Sequence, residues 1–392
     1  MKILNFIFDN CKIILSVSLI LIFSVIYLRT LNFGFINDDF DLVRNSWNEA
    51  IDTFLNGVHF RPLWYLSFPL INYFFGPSAF VHHLLNLVLH ITNLLLAFYI
   101  FKKILNAEKA LIIVFFWTLV PQISFQISWV SNRNDLLMTL FLLISLNLAL
   151  HDKIKSSLLI YILAFLSKVT CLFYPLVYFT KFGLGNSKSV KVISFILFII
   201  VFLISYFALQ NGELQSHIAE LSIPMRIVNH AKNFVMGWIL LIFPIPFFKN
   251  IFIIFVNLVF LFTSMYVIMK SFNIEKNSIL LIIISFAISI PLSINYEIRT
   301  TYTLSLFVIA SLISLINIEK LDLIKYSKYF KIIIFTSFTI YGTYTSYFVT
   351  NNFKSNQYDI NGKEYSKDNF YLNYFYLGFR LFQIDLLNKI LK

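Results

Sequence analysis

Nine apolar runs, each free of Asp, Glu, Lys and Arg, divide this chain: residues 13–28, 80–101, 110–127, 136–150, 192–209, 251–269, 279–294, 303–316 and 332–349. The hydrocarbon core of a bilayer takes about 20 residues of helix, so this series predicts helices crossing a membrane. Composition agrees: 59% of residues are hydrophobic and 13% are charged, against roughly 25% charged in an average soluble domain. A soluble fold of this size has too little interior for so much apolar surface, which excludes a soluble enzyme, a secreted disulfide scaffold and a disordered chain. The net charge of +12 is not a nucleic-acid footprint, because the lysines flank apolar runs as the positive-inside rule requires. Cys11 and Cys171 make neither a CxxC pair nor a zinc spacing. Run 13–28 lacks a small-x-small cleavage site and reads as an uncleaved first span.

Three further stretches are ambiguous by length, and flanking charge arbitrates. With the N-terminus inside, Lys102 and Lys103 stay inside only if 62–75 lies at the surface, which its Pro62 and Pro69 favour. Lys181, Lys188 and Lys191 fall inside if 158–179 crosses twice, as two short helices broken near Ser167 and Lys168. Lys270 and Lys276 fall inside if 234–248, with Pro244 and Pro246, does not cross. The fold expected is an all-α polytopic membrane protein of about 11 transmembrane helices, with interfacial helices in the first outer loop. Sixteen Lys and no Arg then lie on the inner side, and all seven Arg lie on the outer. The parity rests on lysine alone, so the Arg segregation supports it independently. Guanidinium is the better fork for carboxylate and phosphate. Residues 1–350 read as one transmembrane domain. Residues 351–392 read as an outer C-terminal segment, ending in an interfacial helix over 371–391.

Polar chemistry gathers on that outer side. Asp38, Asp39 and Asp41 follow the first span closely. Neighbouring carboxylates repel, so one pKa rises unless a cation neutralises it. Such a pair can act as a general base, hold a divalent metal, or be a merely solvated loop. Arg61-Pro62 comes next. His83, Asn86 and His90 then share one helical face. In lipid such a stripe turns inward, for interhelical hydrogen bonds or for chemistry. In Trp129-Val-Ser-Asn-Arg133-Asn-Asp135, Ser131 or Asn134 is positioned to cap a helix whose first turn holds Asp135. Capping leaves Arg133 without a reason, since a helix N-terminus disfavours a cation. Lys168, alone in an apolar stretch, needs an anion or an aqueous cavity. Glu297, Arg299 and Tyr302 stand together between two spans.

In this order, the motifs resemble the membrane-embedded GT-C glycosyltransferases. The nearest branch is that of the protein O-mannosyltransferases and TMTC-like proteins, with the lipid A aminoarabinose transferases more distant. The resemblance rests on Asp38-Asp39, Arg61-Pro62-Leu63, His83-Leu-Leu-Asn86 with His90, and Trp129 to Leu137. Fainter matches are Leu166-Ser167-Lys168 before Pro175, and Arg299 to Tyr302. It implies a polyprenyl-phosphate sugar donor and a glycan, lipid or protein acceptor, with membrane lipid as surroundings. Asp38 would be the base. Asp39 would position the acceptor or a divalent metal, and Arg133, Lys168 and Arg299 would meet the donor phosphate. Arg61, His83, Asn86, His90, Asp135, Glu297 and Tyr302 would line the substrate cavity. Lys168-Val169 departs from the family's Lys-Glu. With neither a tetratricopeptide array nor a β-trefoil insert in the sequence, the acceptor stays open. Two other readings remain at this point: a polysaccharide polymerase or ligase using a diphosphate-linked glycan, and a lipid or glycolipid flippase without covalent chemistry.

Overall fold

The structure, a computed structural model, describes residues 26–36, 38–56, 60–179, 188–210, 275–292 and 302–316, with positions 339 and 343. Glu297 and Arg299, most of the first span, the stretches 234–248 and 251–269, all of 332–349 but positions 339 and 343, and the segment 351–392 lie outside the described residues.

Among the described residues the protein is helical and contains no β-strand. After a 3-10 turn at Leu28–Asn32 come α1 (Asp39–Arg44), α2 (Trp47–Asn56), α3 (Pro62–Phe75), α4 (Ala79–Ile104), α5 (Ala107–Leu119) and α6 (Pro121–Ser128). A 3-10 turn at Val130–Asn132 leads into α7 (Arg133–Ala149) and then α8 (Ile154–Ser167). Further 3-10 turns at Val169–Cys171 and Tyr174–Phe179 precede α9 (Lys188–Gln210), α10 (Lys276–Leu292) and α11 (Tyr302–Ser314).

Local sequence sets several boundaries. Ser46 and Glu49 form a capping box at α2: the Ser46 N–H donates to Glu49 Oε2 at 2.6 Å, and the Glu49 N–H donates to Ser46 Oγ at 3.3 Å. Pro62 opens α3 at a position where the missing N–H costs nothing. Gly76, at φ 70°, closes it in a conformation that favours glycine. Asn106 caps α5 by accepting the Lys109 N–H at 2.8 Å.

Among the described residues two helices, Ala79–Ile104 and Lys188–Ser205, are long and apolar enough to cross a membrane. At about 1.5 Å per residue, α4 extends roughly 39 Å, against about 30 Å of hydrocarbon. Its first four turns bury polar groups beside Leu87 and Leu89 and turn apolar side chains outward, while its later turns bury apolar residues such as Ala97, Ile100 and Phe101. His82, His83, Asn86, His90 and Asn93 are buried, while Phe80, Leu84, Val88, Ile91, Leu95 and Tyr99 are exposed. Water would favour the opposite arrangement; lipid favours this one, because it cannot satisfy the amide and imidazole groups. α9 exposes Val192, Ile193, Phe195, Ile196, Ile199, Ile200 and Phe202 in the same way.

The chain breaks at Lys168, whose extended backbone (φ −162°, ψ 133°) stops α8. The following turns run back along that helix. The Tyr161 and Tyr174 rings stack at 5.8 Å, and the Ser157 and Tyr178 hydroxyls meet at 2.6 Å. Because 157 pairs with 178 and 161 with 174, the segment is an antiparallel hairpin with Lys168 at its tip.

The bundle has two distinct ends. At one, Lys109 Nζ donates to Ser314 O (3.3 Å), Asn277 Nδ2 to Ile104 O, and Lys103 Nζ to Leu150 O (3.2 Å). At the other end lie α1, the Val130–Asn132 turn, the first turn of α7 and the hairpin tip. An apolar core of α4, α5, α7, α8, α10 and α11 residues joins the two ends. A smaller cluster holds α1, α2 and α3 together around Trp64 and Phe68.

Candidate functional site

The site is assembled at the end opposite Lys109, where the short α1 docks on the turn before α7. Asp39 is fully buried. Its Oδ1 accepts the Ser131 N–H at 2.8 Å and its Oδ2 the Ile36 N–H at 3.1 Å. Asp38, one residue earlier, is only half-buried, and its Oδ1 accepts a long bond (3.4 Å) from the Ser131 hydroxyl. Adjacent residues therefore occupy different environments. Burial first, and the neighbouring Asp38 second, raise the Asp39 pKa well above the ordinary carboxylate range. The N–H groups of Ile36 and Ser131 and the Arg133 charge oppose that rise.

The start of α3 carries Arg61 and Tyr65. Arg61 is half-buried, with its guanidinium 5.4 Å from the centre of the Trp64 ring. Burial raises the Tyr65 pKa; the charge of Arg61 opposes this and that of Asp38 adds to it. Tyr65 therefore lies within electrostatic reach of both.

Arg133 is fully buried behind this cluster. Its Nε donates to Asn86 Oδ1 (3.1 Å) and one terminal nitrogen to Ser67 Oγ (3.1 Å). The other terminal nitrogen donates to His82 Nδ1 (2.9 Å) and His82 O (3.4 Å). The Phe68 ring centre lies 4.5 Å from its central carbon. This answers why a cation sits at the start of α7: the charge faces an acceptor cage, with Asp39 in electrostatic reach. The cap differs from expectation. Asn132 occupies the N-cap position without a side-chain bond. Ser131 turns toward Asp38 and Asp39, and Asn134 Oδ1 accepts only the next N–H, that of Asp135, at 2.7 Å.

Lys168 meets an anion. Its Nζ lies 2.5 Å from Asp135 Oδ2, both side chains buried, which ties the hairpin tip to the first turn of α7. His83 Nε2 donates to Gly34 O at 3.2 Å, holding the strand of chain that leads into Asp38. Deeper along α4, His90 Nδ1 and the Tyr302 hydroxyl meet at 2.6 Å, and Asn93 Nδ2 reaches that hydroxyl at 3.4 Å. The structure thus brings Asp38, Asp39, Asn86 and Arg133 into one cluster. Arg61 joins it through Tyr65, Asp135 pairs with Lys168, and His90 and Tyr302 form a separate layer below.

Sequence reasoning does not single out His82, Asn72, Ser67, Tyr65 or Asn93. Asn93 extends the His83–Asn86–His90 stripe by a further turn, so helical periodicity signals it. Nothing local signals the other four, which acquire partners only when α3, α4 and α7 dock.

Among the described residues, no three His, Cys, Asp or Glu side chains come together as a metal site. With both Asp39 oxygens on backbone N–H groups, the pair presents a cation with one accessible carboxylate, which does not fit a protein-held divalent site. No protein-family model matches the chain, and no curated protein matches it.

Proposed function

We propose that the protein is a GT-C-type membrane glycosyltransferase. It would move a sugar from a polyprenyl-phosphate donor to a hydroxyl of a glycan, lipid or protein at the outer face of a bacterial cytoplasmic membrane. The observation that carries this reading is the division between the two neighbouring carboxylates. Asp39 is buried on backbone donors, while Asp38 stays half-exposed, within electrostatic reach of Tyr65. The ordered motif resemblance and the polar groups buried by the first turns of α4 support it, as does the Arg segregation to one side.

Asp38 takes the proton of the acceptor hydroxyl. The acceptor oxygen attacks the anomeric carbon as the bond from that carbon to the phosphate oxygen breaks, and the bonding pair leaves with the phosphate. The lipid phosphate gains a negative charge, which a cation fixed nearby stabilises most at the transition state. Arg133 and Lys168 direct N–H groups at protein acceptors, so in this reading the phosphate is met by Arg299, which the resemblance also names, together with the half-buried Arg61. Arg133 and Lys168 organise the site from behind.

The test is transfer by purified protein in nanodiscs, with monophosphate-linked and diphosphate-linked sugar donors offered side by side. The expected result is transfer from the monophosphate, with a loss of at least a hundredfold in Asp38→Asn. Transfer from the diphosphate alone would replace this reading with a polymerase or ligase. No turnover, with lipid translocation in its place, would replace it with a flippase.

A further inference from the structure

The contacts of Arg133 fix more than its own charge. A guanidinium only donates hydrogen bonds. His82 Nδ1, 2.9 Å from Arg133, must therefore be the acceptor nitrogen, and the ring proton resides on Nε2. His82 Nε2 lies 2.9 Å from Asn72 Oδ1 and donates to it. That fixes the Asn72 amide, whose Nδ2 donates to Val43 O at 2.6 Å near the end of α1. A second arm starts at the Arg133 Nε, which donates to Asn86 Oδ1 and so turns Asn86 Nδ2 toward the carbonyls of Trp129 (3.3 Å) and Val130 (3.5 Å). Those carbonyls belong to the turn that presents the Ser131 N–H to Asp39.

The two arms meet the two ends of α1. Each member has its donor and acceptor roles dictated by the one before it, and bonds aligned in this way in a low-dielectric interior reinforce each other. We propose that Arg133 is a positioning residue: through His82–Asn72 on one arm and Asn86 on the other, it sets the attitude of α1 and with it the placement of Asp38. That the placement serves catalysis rests on Asp38 being the base; the relay itself stands independently of that reading.

The experiment uses the full chain in nanodiscs with 15N-labelled histidine, His82 being assigned by its absence in His82→Gln. The expected spectrum shows Nδ1 unprotonated and Nε2 protonated in the native protein, with the Nδ1 resonance shifting in Arg133→Met as it loses its donor. A proton on Nδ1, or an Nδ1 resonance indifferent to Arg133→Met, overturns the proposal. The reach to α1 is read by hydrogen exchange of peptides covering residues 36–45. His82→Leu is expected to speed exchange severalfold. His82→Gln, whose amide presents an acceptor to Arg133 and a donor to Asn72, is expected to stay near native rates.

If His82→Leu does not fold, Asn72→Asp decides. It still accepts from His82 but sets a carboxylate against Val43 O, so the tautomer is expected to persist while 36–45 exchange rises. A folded Asn72→Asp with native exchange overturns the proposal. Neither readout involves sugar transfer, so failure of the transfer assay and failure of the relay are distinguishable.

Discussion

Two cations are buried within a few residues of each other in space, and the protein accommodates them in opposite ways. Lys168 is a point charge set directly on one carboxylate, Asp135. Among the described residues Arg133 has no carboxylate in direct contact. Its fork is divided among an amide, a hydroxyl, an imidazole, a carbonyl and the face of Phe68. The ammonium makes a latch between two elements, the hairpin tip and α7. The planar guanidinium joins α3, α4 and α7 and orients what lies beyond them. The chain therefore uses the two side chains for different work, as their donor geometry dictates.

The sharpest way to break this comparison is to remove one member of the latch. Asp135→Asn or Lys168→Met alone leaves a buried charge uncompensated and is expected to cost about 3–5 kcal/mol. The double variant should recover most of that loss, since no charge then remains. Thermal unfolding in nanodiscs reads both. Arg133→Lys keeps the charge and loses the fork. With charge-assisted bonds contributing about 1.5–3 kcal/mol each, it should lower stability by about 2–3 kcal/mol, despite being nominally conservative. A native melting temperature would show that Arg133 serves only as a charge.

Asp39→Asn comes third. It turns an amide N–H toward a backbone N–H, leaving a buried donor unmet at about 1–3 kcal/mol. It also removes a titration. Because the folded pKa of Asp39 is raised, the folded state holds this proton more tightly than the unfolded chain. Its contribution is fully present below the unfolded value of about 3.9 and is lost as pH rises toward the folded value. The melting temperature of the native protein should carry that downward component with rising pH, and Asp39→Asn should lack it. Ser131→Ala should be smallest, within about 0.5 kcal/mol, because Asp39 is held by the Ser131 backbone N–H, which alanine retains.

Locally encoded features are legible in the sequence itself. The inward face of His83, Asn86 and His90 follows from spacing, and the break near Ser167 and Lys168 from the lysines that flank the run; the Ser46–Glu49 capping box, although a local pattern, is not singled out by that reading. The need of Lys168 for an anion is also readable, since lipid offers none. The choice of Asp135 is not, because 33 residues separate the two. Asp39 is legible as a carboxylate beside another, but its partners are backbone N–H groups, and every residue except proline carries one. The cap of α7 is hidden for a related reason: Ser131 has the right chemistry for an N-cap, but tertiary docking gives it a different partner. The resemblance implies a phosphate ligand at Arg133, whereas its contacts make it a keystone. Only packing reveals that His82 and Ser67 bond to it and that Asn72 lies beyond His82.

The division between Asp38 and Asp39 underlies the whole account, and carboxylate labelling tests it most directly. The folded protein in nanodiscs, treated with a water-soluble carbodiimide and an amine, should be modified at Asp38 and not at Asp39. Polyprenyl-phosphate sugar should then shield Asp38. Modification of Asp39 at a comparable rate, or an Asp38 that stays unlabelled in the absence of donor, would contradict it.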